Sequence, residues 1–214
     1  MKKLVIFDLD GTLMNTKPGI VSSLTYAMEK EGLPVPDDKT LDTFIGPPLE
    51  DSFHRTFDID DEKMKQVIKV YRAQYLDGDI YKSIPYDGIF DLLSELKKRG
   101  IDSAVATYKL ETMARDLLSR YHFDEYIPYI FGKDKENTRS KSDIIRICIE
   151  RSGHTREEAV MFGDSSYDAI GAGDAKVDFI GALYGFGFHD RNDVMKYDNI
   201  GTVRNPMEIL DLLG

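Results

Sequence analysis

Short apolar runs recur along the chain, and between them lie stretches whose apolar residues follow a helical period. Leu4-Val5-Ile6-Phe7 is apolar at every position and stops at Asp8 and Asp10. A run without polar alternation is the pattern of a strand covered on both faces, as in a parallel sheet. Similar runs follow at Ser103-Ala104-Val105-Ala106, Tyr129-Ile130-Phe131, Ala159-Val160-Met161-Phe162 and Phe179-Ile180-Gly181-Ala182-Leu183. Ile89, Leu92, Leu93 and Leu96 repeat at i, i+3, i+4 and i+7, with Gly100 as a stop. Leu110, Met113, Ala114, Leu117, Leu118 and Tyr121 repeat the pattern. Strands alternating with helices of this length predict βαβ units. The fold class expected is therefore α/β, a doubly wound Rossmann-like parallel sheet.

The stretch 15–85 breaks that alternation. Ile20 to Glu31, ending at Gly32, predicts a helix, and Asp60 to Gly78 predicts another with Met64, Val67, Ile68, Tyr71 and Tyr75 on one stripe. Between them, Phe44-Ile45-Gly46-Pro47-Pro48-Leu49 is barred from helix by its prolines. The economical reading is a small α-helical domain inserted after the first strand. The core would then be 1–14 and 86–214, and Lys17-Pro18 and Ile84-Pro85-Tyr86-Asp87-Gly88 would serve as hinges. The Gly-Pro-Pro loop reads equally as a substrate lid or as a rigid connection between helices.

Composition narrows the function classes. The 214 residues carry 28 Lys+Arg against 38 Asp+Glu, a formal net charge of −10, with 42% hydrophobic and 31% charged residues. This is the make-up of a globular protein. The charge argues against generic binding to nucleic acid or to an anionic membrane. No apolar run approaches the roughly 18 residues needed to span a bilayer, and the absence of an export signal leads us to expect a cytoplasmic protein. The one cysteine, Cys148, has no internal disulfide partner, and its helical apolar context predicts a buried, inert thiol.

In a doubly wound sheet, ligands bind just beyond the carboxyl ends of the strands. The first strand is followed by Asp8-Leu9-Asp10-Gly11-Thr12, the second by Thr107, and the fourth by Gly163-Asp164-Ser165-Ser166-Tyr167-Asp168, while Lys141 opens the helix before the fourth. Asp8 and Asp10 are two apart and point the same way as long as the strand continues. Such close carboxylates need a cation, and Asp164 would add a third. Oxygen-only ligands at an open site suit Mg²⁺. The plainer alternative is that Asp-Gly only marks a turn and that the acids cap the next helix. Asp164 and Asp168, four apart, would share one face of a helix, and Asp168 would serve equally as a solvated acid. Thr107 and Lys141 signify little singly; their weight comes from the combination.

These residues together resemble the haloacid dehalogenase-like hydrolases, in particular the phosphatases with a helical cap that include the phosphoglycolate phosphatase-like enzymes. The resemblance runs nearly end to end: Phe7-Asp8-Leu9-Asp10-Gly11-Thr12-Leu13, Ala106-Thr107, Lys141 and Phe162-Gly163-Asp164-Ser165-Ser166-Tyr167-Asp168, with Gly181 to Gly187 resembling the family's Gly-rich turn. It implies a Mg²⁺-dependent phosphatase of a small phosphorylated metabolite. By the resemblance, Asp8 is the nucleophile and a metal ligand. Asp10 is the acid and base and ligates through its backbone carbonyl. Thr107 and Lys141 hold the phosphoryl oxygens, Asp164 completes the metal site, and Asp168 orients it from behind. The presence of Asp10 favours phosphate over halide as leaving-group chemistry. Tyr108 departs from the small or amide residue that the family often has after the threonine.

Two further readings stand beside this one. A pyrophosphatase or 5′-nucleotidase would use the same machinery. A phospho-accepting receiver domain also places acids, a Thr and a Lys around an aspartate, but such domains are shorter, lack a helical insertion and carry the acceptor after a middle strand.

Overall fold

The computed structural model describes residues 1–136 and 138–214. The chain divides into two compact units, Met1–Met14 with Pro85–Gly214, and Asn15–Ile84.

The first unit is built on six parallel strands: β1 (Leu4–Phe7), β4 (Asp102–Leu110), β5 (Tyr129–Lys133), β6 (Ala159–Gly163), β7 (Asp178–Ala182) and β8 (Gly201–Val203), with β2 and β3 described below. Their order in the sheet is β5-β4-β1-β6-β7-β8, and every neighbouring pair is parallel. In chain order this is 3-2-1-4-5-6, the doubly wound arrangement. The chain moves one way from β1 through β4 to β5, then returns to β6 on the other side of β1. Right-handed crossovers therefore put α5 (Ile89–Lys98) and α6 (Glu111–Arg120) on one face, and α7 (Lys141–Ser152) and α8 (Ser166–Ala175) on the other. The second face is one apolar cluster: Leu4 and Ile6 of β1, Ala104 and Ala106 of β4 and Met161 of β6 pack with Ile144, Ile145 and Cys148 of α7 and Ala169 and Ala172 of α8. The alternate positions Val5, Phe7, Val105, Val160 and Phe162 are also buried. This two-sided burial is why the strands read as unbroken apolar runs. Cys148 is buried, its thiol donates to the Val105 carbonyl at 3.3 Å, and burial pushes its titration up, so it is inert as expected.

The second unit contains α1 (Lys17–Lys30), α2 (Asp38–Asp42), α3 (Leu49–Thr56) and α4 (Asp61–Leu76). Asp37 and Asp60 cap α2 and α4, each accepting a backbone N–H three residues on. The expected stripe of α4, Met64, Val67, Ile68, Tyr71 and Tyr75, is buried. Tyr71 and Tyr75 stack, and Phe53 sits between Phe44 and Phe57. No helix of the described residues is long and apolar enough to cross a membrane.

Several expectations need correction. Lys17-Pro18 is no hinge: it forms the first turn of α1, where proline's missing N–H costs nothing. The chain passes between the units at the short strands β2 (Met14–Asn15) and β3 (Ile84–Pro85), hydrogen-bonded to each other, the second lying within the expected Ile84–Gly88 segment. The strand starting near residue 103 continues to Leu110, past Thr107. Its polar second half hid that extension. Asp164 and Asp168 do not share a helix face, because Asp164 lies between β6 and α8, and only Asp168 is helical.

Candidate active site

The carboxyl edge of β1, β4 and β6 collects the polar residues. The β1–β6 junction is where the winding reverses, the place at which a sheet of this topology opens a crevice. Register fixes the levels: Phe7 is opposite both Val105 and Phe162, and the Asp8 N–H still donates to the Phe162 carbonyl at 2.9 Å. Asp8 thus leaves the sheet one residue past the last paired position.

The chain then turns tightly. The Leu9 carbonyl accepts the N–H groups of Thr12, Leu13 and Met14 at 3.3, 3.1 and 3.0 Å. Gly11 makes this possible at φ +86, and a Cβ there would lie 2.3 Å from Asp164 Oδ2. Asp164 is held against this turn by three donors. Oδ2 accepts from the Phe186 and Gly187 N–H groups at 2.7 and 3.1 Å, and Oδ1 from Thr12 Oγ1 at 3.3 Å. The Gly-rich segment after β7 can close on Asp164 because Gly185 has no side chain: a Cβ there would be 2.3 Å from the Asp164 Cβ. The Tyr184 hydroxyl donates to the Thr12 carbonyl at 2.9 Å.

Lys141 begins α7, whose start is set by a capping box between Ser140 and Asp143. Its ammonium lies 2.8 Å from Asp8 Oδ1 and 2.6 Å from Asp168 Oδ1. The other Asp168 oxygen accepts from the Ser165 N–H and hydroxyl at 3.0 and 2.7 Å, which fixes the carboxylate behind Lys141. Asp168 is fully buried, so the solvated-acid alternative fails. The Tyr108 hydroxyl accepts the Lys141 backbone N–H at 3.1 Å, and its ring lies 5.6 Å beneath the Lys141 ammonium.

Asp8, Asp164 and Asp168 each bring a carboxylate oxygen within 4.8 Å of the others. Three carboxylates face one ammonium, leaving two negative charges without a positive partner in the group. The electrostatics register that imbalance. Burial pushes Asp8 up to about 7, with Asp168 and Asp10 adding to the rise and Lys141 opposing it. Burial, Asp168 and Asp8 push Asp164 up to about 8, against the Phe186 and Gly187 N–H groups. Burial works to lower the Lys141 titration, but Asp168 and Asp8 outweigh it and hold the ammonium charged. An all-oxygen donor set with a surplus of two negative charges fits a divalent cation of the Mg²⁺ type.

Asp10 stands apart from this group. Its two oxygens lie 2.9 and 3.1 Å from Lys109 Nζ. Thr107, 1% exposed, accepts the Lys109 backbone N–H at 3.1 Å through Oγ1, which leaves its hydroxyl proton available to a ligand. The structure therefore groups Asp8, Lys141, Asp164 and Asp168 directly, and it places Thr107 and Asp10 on neighbouring strand ends joined through Lys109. Sequence reasoning missed Lys109 and the contact of Thr12 with Tyr184. Lys109 had a signal, being two residues beyond Thr107 on the same strand. Thr12 and Tyr184 lie within the quoted motif segments, but their contact, 172 positions apart, had no signal of its own. In the helical unit, Arg55 donates to the Thr43 carbonyl and hydroxyl, a structural task.

Comparison with known proteins agrees with this geometry. Residues 5–182 match the model of the haloacid dehalogenase-like hydrolase family. A 5′-nucleotidase of Pseudomonas aeruginosa is 35% identical over 87% of this chain and 85% of its own. The tyrosine-protein kinase PtkA of Mycobacterium bovis is 32% identical over 97% of this chain and 72% of its own. A haloacid dehalogenase-like family hydrolase of Streptococcus pneumoniae superposes with a TM-score of 0.92 at 29% identity, over 100% of this chain and 99% of that one. A family match across most of the length, with the motif residues gathered at one sheet edge, makes this chain a member of the haloacid dehalogenase-like hydrolase family.

Proposed function

We propose that the chain is a phosphatase of small phosphate monoesters and that it works through an aspartyl-phosphate on Asp8. The observation carrying this reading is the pair of carboxylates in opposed settings: Asp8 buried against Lys141 within an over-negative group, and Asp10 held apart from it on Lys109. Two carboxyl groups in unlike environments suit two roles. In the first step an Asp8 oxygen bonds to phosphorus, and the bond to the leaving oxygen breaks with its electron pair. That oxygen takes a proton from Asp10. In the second step water bonds to phosphorus, gives a proton to Asp10, and the bond to Asp8 breaks to release orthophosphate. Thr107 and Lys141 steady the phosphoryl oxygens, and Asp168 aims Lys141. Asp8, Asp164 and the Asp10 carbonyl would hold Mg²⁺, which supplies positive charge against the developing phosphoryl charge.

The similarity to a 5′-nucleotidase favours nucleoside 5′-monophosphates as a second reading of the substrate. The similarity to PtkA raises an acceptor other than water. We assign the choice among substrates to the helical unit, Asn15–Ile84, which interrupts the chain between the nucleophile turn and the rest of the core. The test is orthophosphate release, with Mg²⁺ and with EDTA, from sugar phosphates, short phosphorylated acids, nucleoside 5′-monophosphates and pyrophosphate. Hydrolysis in H₂¹⁸O should place one solvent oxygen in the released orthophosphate and none in Asp8, and borohydride reduction of enzyme quenched during turnover should convert Asp8 to homoserine. No multiple-turnover release from any ester, or no trapped acyl phosphate at Asp8, overturns the proposal. Exchanging residues 15–84 for those of a relative should reorder kcat/KM among substrates, and an unchanged order would remove the helical unit from substrate choice.

A further inference from the structure

Lys109 sits at the carboxyl end of β4, two residues beyond Thr107, with a side chain only 7% exposed, and the Asp10 side chain facing it is 13% exposed. Its ammonium spans both Asp10 oxygens, at 2.9 and 3.1 Å. Its own position is fixed from the backbone, where the Lys109 N–H donates to Thr107 Oγ1 at 3.1 Å. The strand changes register between Ala106 and Leu110, so this stretch is shaped rather than regular. Thr107, Lys109 and Asp10 thus form one connected unit beside the Asp8 group. The second cation at this edge has a different assignment from the first: Lys141 serves Asp8 and Asp168, and Lys109 serves Asp10.

Building on the proposed acid–base role of Asp10, we infer that Lys109 is the positioning residue for Asp10: its ammonium clamps the carboxylate in the rotamer from which Asp10 exchanges protons with the leaving oxygen and the attacking water. A carboxylate side chain has several staggered positions, and an ammonium spanning both oxygens selects one of them. The low exposure of both partners makes the clamp stiff, and misplacement by even an ångström is costly in a proton transfer. The same backbone bond that seats Lys109 also orients the Thr107 hydroxyl, so the acid–base group and a phosphoryl-binding group are set by one strand end.

The experiment is a double-mutant cycle on the full chain with Mg²⁺, using Lys109→Met, Asp10→Asn and the double variant. The substrate is p-nitrophenyl phosphate, whose leaving group needs little help from an acid and keeps slow variants measurable. Lys109→Met should lower kcat by about tenfold or more with KM changed less than ~3-fold, and Lys109→Arg should recover part of the loss. In the Asp10→Asn background, Lys109→Met should change kcat by less than about twofold, because its target is already gone. Additive losses would overturn the inference and make Lys109 a direct phosphate ligand or a structural residue. A KM rise with constant kcat would overturn it too. Thermal unfolding of each variant identifies a folding defect, and if Lys109→Met fails to fold, Lys109→Gln carries the cycle with the same outcomes. Full activity in Asp10→Asn alone would remove the acid–base role on which the inference rests, whereas an inactive Asp10→Asn with an additive Lys109→Met sinks only the clamp.

Discussion

Each unit buries an aspartate against a lysine at the same distance, and the two behave oppositely. In the helical unit, Asp79 is 5% exposed, accepts from Ser23 Oγ at 2.8 Å and lies 2.8 Å from Lys82. In the sheet unit, Asp8 is 6% exposed and lies 2.8 Å from Lys141. Burial raises both. For Asp79 the opposing bonds from Lys82 and the serine hydroxyls prevail, and the carboxyl is held below its usual range. For Asp8 burial prevails, and the carboxyl goes up to about 7. The difference lies in how the lysine is shared. Lys82 is half in water beside Asp79, whereas Lys141 is buried and divided between Asp8 and Asp168, with Asp164 adding a further charge. One aspartate is neutralised by its own structure; the other belongs to a group that stays over-negative until a cation or a proton arrives. Burial of charge beyond local compensation is costly, and a site is where such a cost is retained.

The largest expected effect breaks the comparison at Asp8. Asp8→Asn keeps the shape, leaves Lys141 paired with Asp168, and removes the proposed nucleophile. The kcat for phosphate esters should fall by about 10⁴-fold or more, the scale seen when a nucleophile is lost. Stability measured by urea unfolding should not fall. More than about a tenth of wild-type kcat would exclude covalent catalysis by Asp8.

Next comes Lys141→Met, which removes the ammonium shared by the buried carboxylates. Breaking a buried pair from one side costs about 3–5 kcal/mol, so the urea midpoint in EDTA near pH 8 should drop steeply. The loss should shrink toward pH 5, where the carboxyl groups take up protons. A fall of under ~1 kcal/mol at pH 8 would mean that the three carboxylates do not depend on Lys141.

The same contrast governs how much was legible in the sequence. The doubly wound sheet was readable because β1, β6 and β7 are covered on both faces and so carry no polar alternation. The candidate acids were readable because they fall in two close pairs, Asp8 with Asp10 and Asp164 with Asp168, each just after a buried apolar run. The short edge strand β8 was not, because its three residues are defined by pairing with β7. Lys109 was hidden by ending β4 at Ala106. The helix placement of Asp164 failed because a spacing of four is helical only if the helix has begun, and Ser165 starts it one residue later. In the helical unit, periodicity located α1 and α4. It said nothing of Asp79, whose partner Ser23 is 56 residues away.

Titration sharpens the comparison further. Asp8 and Asp164 have folded-state values of about 7 and 8, above the ordinary carboxylate value. Such groups bind more protons folded than unfolded, so metal-free stability should fall as pH rises from about 4 through 8, by an amount on the order of a few kcal/mol. Saturating Mg²⁺ supplies the missing charge and should flatten that fall. Urea unfolding at pH 5, 6, 7 and 8, in EDTA and in Mg²⁺, separates this from all other titrations, which contribute to both curves alike. A gap between the curves that widens with pH is expected. Parallel curves would mean that the cation does not sit among these carboxylates. Asp164→Asn should narrow the gap and raise the Mg²⁺ needed for half-maximal activity.

The smallest effect belongs to Asp79. Asp79→Asn preserves size and leaves an oxygen for the buried Ser23 hydroxyl, but it turns an amide NH₂ toward Lys82 and removes a charge-assisted bond. The expected cost is about 1–3 kcal/mol. The pH dependence has the opposite sign to that of the Asp8 group. A carboxyl held below its ordinary value stabilises the fold above the unfolded-state value, and that contribution is lost as pH falls through the lowered one. The gap between wild type and Asp79→Asn should therefore be full at pH 7 and close in acid, while the metal-free loss at Asp8 and Asp164 grows toward pH 8. Asp79 takes no part in the proposed chemistry, so kcat at a temperature where both proteins are folded should stay within about twofold. A kcat loss of tenfold with stability unchanged would reverse the assignment. Asp79 would then be a functional charge, and the contrast between a self-compensated aspartate and an over-negative site would fail at its simpler end.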